Sequence, residues 1–368
     1  MAASNQEVAI SNLTKSAHRH PMTIVFYLIP DFSMFALSSA LEALRLANRL
    51  LGYDAYSWRL VSSDGEPVLA SCGLAMESTS NLADERKLLL KARRQFMTIV
   101  CAEDNVESHT TRTLESWLRE CKKSGIALGA LGTGTYVLAS AGLLGSKRCT
   151  IHWERQPSFA EKFKTADLNT SIFTSDGGIW TCAGGAASYD MMLHIVERKF
   201  GAAAAASICE YAVVEQVRAP NSRQRVPITR RLGVQNQSII EAIEHMEQNI
   251  AEPLPIEAVA SRISLSRRQI ERLFRRELNR SPVSYYRDLR LDRARLLLAH
   301  SNMPVIDIAV ACGFVSTSHF SKVFRETFGM APRDARGESK AAWRIHESGM
   351  RPDIFAVETT LQRFDNAA

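Results

Sequence analysis

Between residues 254 and 336 one pattern is written twice, and any fold for this chain has to accommodate the duplication. Shifted by fifty positions, Ser266 falls on Ser316, Ile270 on Phe320, Leu273 on Val323, Phe274 on Phe324, Arg275 on Arg325 and Pro282 on Pro332. With a one-residue adjustment upstream, Val259 and Ala260 fall on Ile308 and Ala309. A fixed offset between so many apolar positions marks a repeated supersecondary unit. In the first copy Ile256, Val259, Ala260 and Ile263 keep helical spacing, Ser264-Leu265-Ser266 interrupts it, and Ile270, Leu273 and Phe274 resume it. In the second, Ile306, Ile308, Ala309 and Cys312 make the first helix, Gly313 allows the turn, and Phe320, Val323 and Phe324 line the next. Ser266 is a natural N-cap, because its hydroxyl accepts from the open amides of the following turn. Ala260 and Ala309 are small where two helices must approach. Helix, short turn and helix together form a helix-turn-helix.

Charge says what the exposed faces are for. Between Arg262 and Arg295 eleven arginines stand against Glu271, Glu277, Asp288 and Asp292, a local excess of seven positive charges in a chain whose formal net charge is +6. The remainder therefore carries one net negative charge, and the sequence pI near 9.0 belongs to this cluster. A solvated helix face also carries arginines. Arginines concentrated on and after the second helix of a duplicated helix-turn-helix fit double-stranded DNA instead. The first turns of each second helix face base edges: Arg268, Glu271 and Arg272 in the first copy, with Arg267 and Arg275 placed for phosphates, and Thr317, Ser318, Ser321 and Lys322 in the second, with His319 beside them. Arg268 or Arg272 can hold a guanine in bidentate fashion, whereas Ser and Thr discriminate less, so the first copy should carry more of the specificity. A helix holding Leu289, Leu291, Ala294, Leu296, Leu297 and Leu298 joins the copies and should place the two recognition helices in successive major grooves about 34 Å apart.

The run from Ile308-Ala309 through Cys312-Gly313-Phe314, His319-Phe320 and Val323-Phe324-Arg325 to Pro332 resembles the signature of AraC-type transcription regulators. The resemblance implies promoter DNA and RNA polymerase as partners, and a homodimer formed through the N-terminal half.

That half reads differently. The 368 residues leave room for two or three domains, each with its own core. Strand-like runs over 22–29, 56–62, 96–101 and 126–131 alternate with helical stretches over 37–50, around Leu114, Trp117 and Leu118, over 136–141 and over 189–200. This alternation predicts an α/β domain with a parallel sheet covered on both faces, ahead of an all-α C-terminal domain with two helix-turn-helix motifs. The fourth strand feeds its helix through Gly132-Thr133-Gly134, the shape of a nucleophile elbow. The runs 149–154 and 176–185 end near the same sheet edge. The stretches 131–154 and 176–201, with the first strand and helix, resemble the glutamine-amidotransferase-like (PfpI-type) sensor domain of flavodoxin-like fold that is found fused to AraC-type domains, and in wording they resemble regulators of carnitine, glycine betaine or arginine catabolism. The resemblance implies a metabolite-responsive activator of a catabolic operon.

Enzymes of that fold carry a cysteine at the elbow, activated as a thiolate by a histidine. The position aligned with it here is Gly132, Thr133 and Thr135 lack a dedicated base, and Cys101 ends a different strand. A regulator without catalytic residues is therefore expected; the alternative is a retained hydrolase or amidotransferase-like activity. A binding site for a small effector is expected at Phe32, Ser33, Gly132, Thr133, Thr135, His152 and Trp153, with a carboxylate at the helix N-terminus beyond Thr133 and a cationic head group, a quaternary amine or an amino acid, against Trp153 and Phe32. A structural histidine and plain core aromatics are the competing readings.

The seven cysteines show no metal-ligand spacing, so neither metal nor cofactor is expected, and reduced thiols fit the cytoplasm. Residues 1–20 lack the apolar core of a signal peptide and are expected to be disordered; no run of about eighteen apolar residues occurs. The domain plan is 21–215 for the sensor and dimerisation domain, 216–233 for a polar linker with Pro220 and Pro227, 234–336 for the DNA-binding domain, opening with an amphipathic helix over 235–249, and 337–368 for a tail without a fold signal.

Overall fold

The computed structural model describes residues 20–89 and 96–336, which fall into two compact units divided between Arg225 and Val226. The expectations for the tail 337–368 and, His20 apart, for the first twenty residues lie outside the described residues. No helix among those described is long and apolar enough to cross a membrane.

The first unit alternates strands and helices: β1 (Met22–Leu28), α1 (Met34–Leu51), β2 (Tyr56–Ser62), β3 (Val68–Leu69), β4 (Ala75–Met76), β5 (Ser80–Asn81), α2 (Leu82–Leu89), β6 (Met97–Ala102), α3 (Val106–His109), α4 (Arg112–Lys123), β7 (Ala127–Gly132), α5 (Gly134–Ser140), β8 (Arg148–Cys149), α6 (Gln156–Lys162), β9 (Asp167–Leu168), β10 (Phe173–Asp176), β11 (Ile179–Cys182), α7 (Ala187–Phe200) and α8 (Ala202–Tyr211). Seven strands form the main sheet in the order β10-β11-β7-β6-β1-β2-β5. All pair in parallel except β10, which turns back on β11. Strands buried on both faces are mostly apolar, and β1 shows how they divide: Ile24, Phe26 and Leu28 join α1, α7 and α8 in one core, while Val25, Tyr27 and Ile29, just past its end, join α4 and α5 in the other. The expected α/β architecture is this sheet. Its helices begin earlier than the periodicity implied; α1 starts at Met34 because Ser33 caps it, accepting from the Ala36 amide at 3.3 Å. The alanine-rich α8 was not expected, since a run of alanines carries no apolar stripe.

Connections run to opposite sides of β1, toward β2 and then toward β6, so the strand order reverses between β1 and β6. Their carboxyl ends open the crevice where ligands bind in sheets of this kind. Here the loops after β1 and β6 close on each other. Asp31 and Asn105 both hold positive φ, 62° and 50°, Asn105 Nδ2 donates to Asp31 Oδ2 at 2.9 Å, and the Asp104 amide donates to the Asp31 carbonyl at 3.3 Å.

The second unit is helical: α9 (Ile228–Leu232), α10 (Gln237–Gln248), α11 (Ile256–Arg262), α12 (Arg267–Leu278), α13 (Pro282–His300), α14 (Val305–Ala311) and α15 (Thr317–Phe328), with a 3-10 turn over Asp334–Arg336. It has two cores. Ile239, Ile243, Met246, Val259, Ile270 and Phe274 fill the first, and Ile308, Phe314, Phe320, Val323, Phe324 and Phe328 the second. Helix α13 serves both, giving Tyr285 and Tyr286 to the first and Leu291, Ala294, Leu297 and Leu298 to the second. Each fully buried phenylalanine contributes about 1.5–3 kcal/mol.

The segment expected as a linker, 216–233, makes specific bonds and contains the division between the two units. Arg218 clasps the buried Asp190 through its backbone amide (2.8 Å), Nε (3.0 Å) and Nη2 (2.7 Å). Gln224 Nε2 donates to Thr150 Oγ1, the Ile151 carbonyl and the Ser171 carbonyl at 2.9–3.0 Å. Ile228 is already part of the first helical core. These bonds run to distant carbonyls and carboxylates, which periodicity does not reveal.

Candidate nucleic-acid interface and sheet-edge site

The turns of the two helix-turn-helix copies share two backbone bonds. Leu265 and Phe314 amides donate to the Ala260 and Ala309 carbonyls (2.9 and 2.8 Å), and the turn residues Ser264 and Gly313 donate to the Ser261 and Val310 carbonyls (3.1 and 2.8 Å). Both turn residues hold positive φ, 57° and 73°. Up to this point the offset is forty-nine. Val315, wholly exposed, is the extra residue that makes it fifty, which explains the one-residue adjustment in the sequence. Ser266 and Ser316 then cap α12 and α15, the first with Gln269 in a capping box. Both helices end on a left-handed residue, Asn279 and Gly329.

On α12 the buried face is Ile270 and Phe274, with Leu273 beside them. Opposite lie Arg268, Arg272 and Arg275, spaced four and three apart and exposed, with no intramolecular partner among the described residues. Several other arginines of the cluster are engaged elsewhere, while Arg262 is exposed. Arg267 donates to Glu271 at 3.0 Å and pairs with Glu257, so Glu271 is a partner for Arg267 as well as a surface group. Arg280 and Arg287 flank Asp288 at 3.2 and 3.4 Å; burial nonetheless pushes that carboxyl above its ordinary value. Arg290 donates to the Cys312 and Gly313 carbonyls. The net charge of the segment thus overstates the cations open to a partner. On α15 the matching stripe is Ser318, Lys322 and Arg325, all exposed. Arg325 was not among the expected contacts, although the offset pairs it with Arg275. Thr317 and Ser321 lie at the margin of this face, half-buried, while His319 is exposed beside Phe314.

At the carboxyl edge of the sheet, the elbow residue Gly132 holds φ +63° between β7 and α5. It is packed by backbone on two sides: a Cβ there would lie 2.5 Å from the Ala102 carbonyl oxygen, and one on Gly184 would meet the Gly132 Cα at 3.0 Å. Three of the expected ligand contacts are occupied within the fold. Phe32 is fully buried in the core, Thr135 is buried with its hydroxyl donating to the Thr150 carbonyl at 2.8 Å, and Thr133 donates to the Glu103 carbonyl at 2.8 Å. The N-terminal turn of α5 is buried as well, which removes the expected carboxylate seat, and Ser33 serves as a cap. His152 and Trp153 remain half-exposed, their rings 5.6 Å apart. The Arg225 guanidinium lies 4.9 Å from the centre of the Trp153 ring, so the face expected to receive a cation already holds one.

Beside the elbow, Cys101 and Cys182 pair in register with Leu131 from either side. Burial pushes both thiols up, Cys182 to about 12, and burial does the same to Cys121 and Cys149, each to about 12. A nucleophilic thiolate requires the opposite shift. Brief exposure of the native protein to iodoacetamide should therefore place the first adduct on Cys72, the exposed cysteine. Peptide mass mapping checks this, and faster labelling of Cys101 or Cys182 would contradict the burial argument.

A doubly wound α/β unit joined to a tandem helix-turn-helix unit with a cationic stripe defines a DNA-binding protein of sensor-and-reader build. Model matches agree with both halves: residues 22–198 match the DJ-1/PfpI family, and 259–338 match a helix-turn-helix domain. HTH-type transcriptional regulator GbdR of Pseudomonas aeruginosa is 39% identical over 319 residues, 87% of this chain and 85% of that protein. HTH-type transcriptional regulator CdhR of the same species is 37% identical, over 84% of this chain and 90% of its own. A crystal structure of an AraC family transcriptional regulator from Pseudomonas putida is 27% identical over 52% of this chain and 100% of that chain, with a TM-score of 0.46. The chain belongs to the AraC-type helix-turn-helix transcriptional regulators that carry a DJ-1/PfpI-type N-terminal domain.

Proposed function

We propose that this regulator is a metabolite-responsive activator of a catabolic operon, working in the cytoplasm as a homodimer that engages promoter DNA beside RNA polymerase. The observation that carries the DNA half is the stripe of exposed Arg268, Arg272 and Arg275, without partners among the described residues, repeated in position as Ser318, Lys322 and Arg325 on the second copy. Arg268 and Arg272 read base edges, Arg275 and Arg325 hold phosphates, and Thr317, Ser318, His319, Ser321 and Lys322 form the weaker reading head. Arg267 and Glu271 brace each other at the helix start.

In the sensor half, Gly132 stands where enzymes of this fold carry their nucleophile, so the sheet edge binds rather than cleaves. His152 and Trp153 are the accessible part of that edge. A small molecule with a cationic head competes with Arg225 for the Trp153 face, and its gain shifts the population of a segment that leads directly into the DNA-binding unit. Trp153→Ala is expected to abolish the melting-point rise produced by a cationic amino acid or quaternary amine, and Arg225→Ala to enlarge it at the same ligand concentration. Thermal-shift titration of the three proteins measures both, and identical rises in all of them would refute this placement. Footprinting on the DNA flanking the protein's own gene, with and without those metabolites, tests the reading as a whole.

A further inference from the structure

Tyr286 and Arg290 stand one turn apart on α13, and each holds a different module. Tyr286 reaches into the first module, where its hydroxyl donates to the Asn249 carbonyl at 2.6 Å and accepts from the Leu254 amide at 3.2 Å. The loop between α10 and α11 is thereby fixed at both ends. Arg290 reaches into the second module: Nε donates to the Cys312 carbonyl at 2.8 Å and Nη2 to the Gly313 carbonyl at 2.6 Å. Its guanidinium also lies 4.0 Å from the centre of the Phe314 ring, which in turn packs 5.1 Å from Phe320 inside α15.

The two held segments touch. A Cβ at Gly313 would lie 2.6 Å from the Pro253 ring and 2.8 Å from the Ile250 carbonyl oxygen. In the first copy the same turn is made by Ser264, a residue with a side chain at similar positive φ. Turn geometry alone therefore does not demand glycine. What demands it in the second copy is the approach of the loop at 250–253.

We propose that Tyr286, Arg290 and Gly313 form a clasp that sets the phase between the two recognition helices, and that all three are positioning residues for DNA spacing. A single helix joining two modules resists bending better than it resists small rotations of each module about its end. A second contact beside it fixes the remaining angle. The angle matters because one base pair of DNA corresponds to a rotation of about 34°, so a fixed phase accepts one spacing between half-sites and rejects its neighbours.

The inference rests on the reading of α12 and α15 as a pair of DNA-reading helices, and the test separates the two. Full-length protein selects its operator from random DNA, and affinity is then compared between that operator and one with a single base pair inserted between the half-sites. The wild type is expected to discriminate by about tenfold or more, the cost of misplacing a base contact. Tyr286→Phe with Arg290→Met is expected to reduce that ratio to about threefold or less, and Arg290→Lys, which keeps one donor, to retain most of it. Gly313→Ala, which pushes the modules apart while keeping the Tyr286 and Arg290 side chains, should shift the preferred spacing or broaden it. Variants that bind more weakly to both operators with an unchanged ratio would overturn the clasp while leaving DNA reading by both helices intact. Selection of only one half-site by the wild type would overturn the two-helix reading and the clasp with it.

Discussion

Arg268→Ala, Arg272→Ala and Arg275→Ala combined are expected to weaken operator binding by about two orders of magnitude or more, since each lost contact to base or phosphate removes about 1–3 kcal/mol. The melting temperature should stay where it is. All three side chains are exposed and without partners among the described residues, so their removal orphans no buried group. Fluorescence anisotropy with the selected operator, beside thermal melting, separates the two effects. The single changes sharpen the roles: Arg272→Ala should lose about 1–3 kcal/mol and relax the preference at one base position, whereas Arg275→Ala should weaken all sequences alike. Equal weakening on every sequence for Arg272→Ala would remove it from the set of base readers.

Gly132→Cys is expected to destabilise the first unit by about 3 kcal/mol and to confer no hydrolase or amidotransferase activity. A residue with a side chain held at positive φ costs about 1–3 kcal/mol. In addition the new Cβ would lie 2.5 Å from the Ala102 carbonyl oxygen, and backbone must move to admit it. Denaturant unfolding of the variant gives the number. A variant as stable as the parent would mean that the elbow accepts a side chain, and the enzymatic alternative would then regain ground.

The recognition helices were legible in the sequence because a duplication supplies its own control. Ser266, Ile270 and Phe274 predict Ser316, Phe320 and Phe324, and the hydrogen bonds of the turns obey the same offset. Even Val315 was foreshadowed, as the misfit between forty-nine and fifty. Arg325 was aligned with Arg275 by that offset, but the phosphate role given to Arg275 was not carried across with it. The sheet edge was legible only as topology. Gly132 announced a turn, but Phe32, Thr133 and Thr135 look the same in sequence whether they face a cleft or the interior. Their direction is decided by Ala70, Glu103 and Thr150, partners far along the chain. Polarity and prolines made 216–233 look like a tether, while Asp190, Thr150 and Ser171 were waiting to bind it.

On the proposed function, the guanidinium of Arg225 resting on Trp153 makes uptake at this edge a substitution rather than an addition. An incoming cation must outcompete a group attached to the same chain, so its apparent affinity falls by the fraction of time the indole is vacant. The threshold at which such a switch answers is then written in the grip of the tether, in Arg218 on Asp190 and Gln224 on its carbonyls, and evolution can retune it without altering a single atom that meets the metabolite.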